Sequence, residues 1–207
     1  MTLMHAMHDA LRRELGRIAR ITARGPGDDP RRVLAAAVGW QMFKSYLHTH
    51  HTAEDQAIWP VLREQVAGRP DDLALLDAME SEHAAIDPLL AAIDAEVART
   101  DAGRQLAELT DRLATTLTGH LKHEETEALP LIDATMSAAQ WQHFEEVHRT
   151  GFGTDTPRVF PWLLDEADQA RTEAVFSLLP AAVRETYLTQ WRPAYAQLDL
   201  WRAESSV

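Results

Sequence analysis

Two stretches of the chain share one spacing of cation- and proton-binding groups: HHTAEDQAIWP at residues 50 to 60 and HLKHEETEALP at residues 120 to 130. Each sets a histidine, then a pair of acids one helical turn later, and closes on proline. An imidazole and a carboxylate four residues apart share a helix face, where they can ligate a metal ion or pass a proton between them. With 10 His, 32 acidic residues and 10 Pro among 207 residues, chance yields on the order of one such match per hundred sequences. Two matches ask for a chemical cause.

The elements that carry these residues read as helices. Apolar residues recur at intervals of three and four with almost no period-2 alternation, which defines an all-α chain. GPGDDP at 25 to 30, GRPDD at 68 to 72, RTDAG at 99 to 103, LPLIDATMS at 129 to 137 and TGFGTDTP at 150 to 157 break the pattern. Between them lie long segments over 3–23, 30–67, 72–99 and 102–129, then shorter helical stretches to 201. Asp71 and Asp101 are expected N-caps, and Ser137 with Gln140 fits a capping box. Short connections favour antiparallel neighbours, hence an up-down-up-down four-helix bundle over residues 1–135 with additional C-terminal helices over 136–207. Pro60 and Pro88 fall inside helical patterns, where each is expected to kink or end its helix.

The inward stripes locate the chemistry. They run Met4, His8, Leu11, Leu15, Ile18 in the first segment and Phe43, Leu47, His50, Glu54, Ile58 in the second. The third runs Leu76, Met79, His83, Ile86, Leu90 and the fourth Leu113, Leu117, His120, Glu124, Ala128. Each is apolar until one histidine interrupts it. The first and third carry apolar residues mainly after the histidine, the second and fourth mainly before it, so antiparallel packing brings all four imidazoles to one level. Burying these groups uncompensated would cost several kcal/mol, and no Lys or Arg lies on the stripes near that level. A metal centre is the economical solution, and a carboxylate one turn from an imidazole can reach a second ion, as in a bridged dinuclear site.

The remaining titratable residues are weighed on the same geometry. Asp55 and Glu125 lie roughly 100° round the helix from the inner glutamates and are read as solvated groups or as hydrogen-bond acceptors behind the ligands. His51, beside His50, and Asp87, one turn beyond His83, flank the stripes as additional candidate ligands. His5, His48, His123, His143 and His148 are read as solvated. A ferritin-like arrangement would use Glu-x-x-His on two helices, present as ESEH at 80 to 83 and EEVH at 145 to 148, but Glu80 falls on a polar flank. The tail holds Trp162, Trp191 and Trp201 with Phe160, Tyr187 and Tyr195, read as additional core, the other reading being a lid or dimer face.

Composition narrows the partners. A net charge of -12 disfavours nucleic acid or an anionic membrane, both of which need clustered Lys and Arg. The absence of cysteine excludes disulfides, thiolate metal sites and Cys nucleophiles. Charges early in MTLMHAMHDALRREL fit neither a signal peptide nor a membrane span, so a cytoplasmic monomer or homodimer is expected.

HDALRREL around His8, HHTAEDQAIWP, EHAAIDPLL around His83 and HLKHEETEALP together resemble the hemerythrin-like (HHE cation-binding) domain over residues 3 to 135. The resemblance implies a four-helix bundle with a non-haem di-iron site: Glu54 and Glu124 bridging two irons, His8 and His50 on one, His83 and His120 on the other. Oxygen-carrying members place a further His where this chain has Asp87. Two six-coordinate irons with two bridging carboxylates, four His and a bridging oxo or hydroxo group keep about two open positions, against one when a fifth His is present. Imidazole with bridging carboxylate suits iron, with manganese behind it. The expected small ligands are dioxygen, nitric oxide or peroxide, in binding or sensing, with peroxide-decomposing (catalase-like) oxidoreductase chemistry or iron storage as alternatives.

Overall fold

The computed structural model describes residues 1–23, 29–99 and 105–201, and every regular element among them is helical. The long elements are α1 (Thr2–Thr22), α3 (Val38–Ala57), α5 (Pro70–Val97) and α6 (Leu106–His123). Short helices α2 (Pro30–Ala36), α4 (Trp59–Gln65) and α7 (Leu129–Thr135) join or prolong them. The C-terminal part adds α8 (Ala138–Phe152), α9 (Thr156–Leu164), α10 (Gln169–Leu178), α11 (Ala181–Thr186) and α12 (Arg192–Tyr195).

Local chemistry explains most boundaries. Asp29 caps α2 by accepting from the Arg31 amide, with Pro30 in the first turn. Ser137 and Gln140 form the expected reciprocal capping box on α8. Asp71 is not a cap: α5 begins at Pro70, and Asp71 and Asp72 lie in its first turn, complementing the helix dipole. Asp101 lies outside the described residues. Gly153 ends α8 at φ 54°, a left-handed backbone open to glycine at little cost.

The expected second segment is three helices. One break, at Ala37, has no signal in the sequence; the Gly39 amide there donates to the Leu200 carbonyl at 2.8 Å, so the far end of the chain satisfies the start of α3. The other, at Ile58, precedes Pro60, which lacks an N–H and whose ring crowds the preceding turn. The second copy of the motif meets its proline differently: residues Glu124–Ala128 widen into a π-turn and the helix continues through Pro130 into α7. LPLIDATMS is therefore mostly helix, broken only after Thr135. Pro88 neither ends nor splits α5.

Two apolar clusters make the core. One gathers Leu11 and Leu15 of α1, Phe43 and Leu47 of α3, Ile86 and Leu90 of α5, and Leu113 and Leu117 of α6. The other gathers Met4, Ala57, Met79 and Ala128 from the same four rods beyond their histidines. A polar layer therefore separates two apolar ones. The tail aromatics belong to the first cluster: Trp162, Tyr187 and Tyr195 are buried in it, while Phe160, Trp191 and Trp201 pack on its edge. Helix α8 lies along α3, and α9 and α10 lie against α1.

Candidate metal centre

The polar layer holds two groups of donors. His8, His50, Glu54 and Glu124 offer atoms all within 4.8 Å of one another, as do His51, His83 and His120. His8 Nε2 and His50 Nε2 stand 3.1 Å apart, and so do His83 Nε2 and His120 Nε2. The two glutamates face both groups. Glu124 Oε2 is 3.1 Å from His8 Nε2 and 3.9 Å from His120 Nε2. Glu54 Oε1 is 3.3 Å from His50 Nδ1, and its Oε2 is 3.5 Å from His83 Nε2.

What turns the imidazoles inward is a set of carboxylates behind them. His8 donates through Nδ1 to Glu125 at 2.9 Å, His83 to Asp55 at 2.8 Å and His120 to Glu82 at 2.9 Å. With Nδ1 engaged by a carboxylate, Nε2 is the ring nitrogen turned toward the layer. This explains the doubled acid of the repeat: the first acid faces the centre, while the second holds a histidine of a neighbouring helix. Arg12 completes one such unit by a two-pronged bond to Glu125, 2.8 Å to each oxygen. Asp55 and Glu125 thus accept from histidines and belong to neither donor group. Glu82 escaped the sequence reading, although its place directly before His83 was a usable signal; it also accepts from His123, which is therefore not simply solvated.

His51, one of the two flanking candidates, joins the second group. Its ring stacks on His83 at 3.9 Å with planes inclined by 9°, edge-on to His120 at 5.1 Å. Asp87 stays exposed and belongs to neither group. It lines, with His48, Asp55, Glu80, His51 and His83, a mouth of about 370 Å³ leading to that group. Glu80 pairs with Arg63 at 3.0 Å on this outer surface, so the ferritin-like pairing is not assembled. His148, expected to be solvated, lies instead against His50 with ring centroids 5.5 Å apart. His5, His48 and His143 are at least partly exposed.

The electrostatics are those of a cation site. Burial and the facing Glu124 carboxylate push Glu54 well above the usual carboxylate range. Burial disfavours a charged His8, but Glu124 and Glu125 outweigh it and raise its pKa to about 9. Burial likewise opposes ionised Glu125, yet the His8 and Arg12 hydrogen bonds bring it down to about 2. Burial, then the neighbouring imidazoles, hold His50 and His51 well below the ordinary value. Burial alone lowers His148 to about 4.

These residues fit a bound cation. His50 Nδ1, His51 Nε2 and all four oxygens of Glu54 and Glu124 are buried without a hydrogen-bond partner. Each such atom costs about 1–3 kcal/mol, and positive charge between the two carboxylates answers several of them together.

An all-helical scaffold with a buried histidine–carboxylate layer defines a metal-binding helical protein. The sequence matches the Hemerythrin HHE cation binding domain family over residues 1–132, well over half of the chain, and the protein belongs to that family. No curated protein and no solved structure matches the chain.

Proposed function

We propose that the protein is a non-haem di-iron protein that takes up dioxygen or nitric oxide for binding or sensing. Four rods, α1, α3, α5 and α6, act as an up-down-up-down bundle over residues 1–135, with residues 136–207 as an extension packed on it. In this reading His8 and His50 hold one iron, His83, His120 and His51 the other, and Glu54 and Glu124 bridge them; manganese is the less suited occupant. Asp87 contributes charge at the mouth rather than a bond to metal.

The observation that carries the reading is the placement of Glu54 and Glu124, each buried and each facing histidines of both groups. Iron supplies redox electrons and a coordination position for a small ligand. The chain supplies the rest. Asp55, Glu82 and Glu125 keep the imidazoles oriented, and the apolar layers above and below exclude bulk water. The mouth faces His51 and His83 with Asp55, Glu80 and Asp87, so it favours small neutral ligands over anions. His51 changes the balance between binding and turnover, because a fifth histidine leaves about one open position instead of two. That favours uptake of a ligand over sustained peroxide chemistry. The net charge of -12 is in keeping with a cytoplasmic protein that binds neither nucleic acid nor anionic membrane, and no helix among the described residues is long and apolar enough to cross a membrane.

Anaerobic loading with ferrous iron followed by stoichiometric dioxygen tests the proposal by optical spectroscopy. A spectrum that forms with dioxygen and disappears on its removal is expected. Continuous evolution of oxygen from added peroxide would replace the reading with a catalase-like one, and ready loss of iron to a mild chelator would replace it with storage.

A further inference from the structure

Three of the four stripe imidazoles have a carboxylate behind them; His50 has none. Its Nδ1 is buried without a hydrogen-bond partner, since Glu54 Oε1 at 3.3 Å is not aligned to accept and faces the cation layer. Beside it lies a second unsatisfied imidazole. His148 comes from α8, beyond the 132 residues that match the family, and its Nε2 is likewise buried and unpartnered. The two ring centroids are 5.5 Å apart with planes inclined by 43°. The rings are neighbours without a hydrogen bond between them, close enough that a small rotation of either brings two nitrogens within bonding range.

His148 is held there by design of α8. Its ring stacks on Phe144 at 5.5 Å and 17° and packs against Phe152 at 4.8 Å, its neighbours one turn to either side. Gly151 sets the approach: a Cβ at this position would lie 2.7 Å from Thr49 Cγ2, next to His50 in α3. Glycine lets α8 pass α3 here without displacing the Thr49 side chain.

We propose that His148 is a positioning residue of the metal centre, its imidazole accepting the Nδ1 proton of His50 in the metal-loaded protein. The extension thereby supplies the outer hydrogen bond that the bundle omits. A neutral imidazole is a weaker acceptor than a carboxylate, so His50 is the least electron-rich of the four histidines, and the ion beside it is the more loosely held. This rests on the reading of His8 and His50 as metal ligands.

The test uses the full chain, loaded anaerobically with ferrous iron, as wild type, His148→Phe and His148→Gln. The phenylalanine keeps the aromatic stack without the acceptor; the glutamine restores an acceptor. Iron retention is followed against a competing chelator, alongside thermal unfolding of the metal-free proteins. Wild type should retain two irons per chain. His148→Phe should release one of them about 10–100-fold more readily while its metal-free unfolding temperature stays at the wild-type value, and His148→Gln should recover most of the loss. The proposal is overturned if His148→Phe retains both irons like wild type, or if both variants lose iron in step with metal-free stability. Wild type that takes up no iron would instead sink the reading of the site itself, and this inference with it.

Discussion

The two halves of the metal layer contain similar donors in opposite surroundings. His8 and His50 are fully buried, the second of them against α8, with an apolar chamber of about 400 Å³ lined by Met4, Met7, Phe144, His148 and Phe152 on that side. His51 and His83 line the acidic mouth, and His120 lies buried behind them, its Nε2 3.1 Å from that of His83. The repeated motif supplies inward donors and the acids that orient neighbouring histidines, while the surrounding helices decide which half is open to solvent. The covered half owes its seal to the C-terminal extension; the open half owes its mouth to α3 and α5.

Truncation of a glutamate should erase the contrast altogether. Glu124→Ala removes a carboxylate that faces both halves, so bound iron measured by elemental analysis should fall from two per chain to less than one. Single histidine changes should separate the halves. His50→Ala is expected to cost one iron and keep the other, whereas His51→Ala, which leaves His83 and His120 in place, should weaken the open half by more than about 10-fold in a chelator competition, the lower end for loss of a group behind a ligand. Equal losses from the two variants would contradict a two-half site.

Gly151→Val attacks the cover. The added atoms meet the Thr49 side chain across the contact between α8 and α3, and overpacking of this kind costs about 1–3 kcal/mol, read as a lowered denaturation midpoint of the metal-free protein. The smallest effect is on pH. The folded pKa of His8 is raised from 6.5 to about 9, so the folded chain holds that proton more tightly than the unfolded one. Stability of the metal-free protein from this source is full below pH 6.5 and lost as pH rises through about 9. The metal-loaded protein should show the opposite trend, because cation uptake releases the protons of His8 and Glu54; thermal unfolding at fixed ionic strength distinguishes the two.

The inward-facing donors were legible because helical periodicity places His8, His50, Glu54, His83, His120 and Glu124 on buried stripes without reference to any other helix. Asp55 and Glu125 were readable as acceptors behind the donors, but pairings across helices were not. Asp55 and Glu125 repeat in sequence, but their partners, His83 and His8, are chosen by which rods adjoin. The burial of His148 depends on Gly151 and on a helix far along the chain, although Phe144, His148 and Phe152 at intervals of four did mark an inward stripe on α8. The break at Ala37 was hidden for the same reason, its amide-level cause being the Leu200 carbonyl. Prolines misled in both directions, since Pro88 is absorbed by a long helix and Pro130 by a π-turn.

X-ray absorption spectroscopy of the iron-loaded protein, combined with elemental analysis of the same sample, tests the proposed bridging role of Glu54 and Glu124. Two irons per chain with an iron–iron vector of ~3.5–4 Å or slightly less and mixed nitrogen and oxygen neighbours are expected. A single iron per chain, or two with no iron scatterer nearby, would contradict the account.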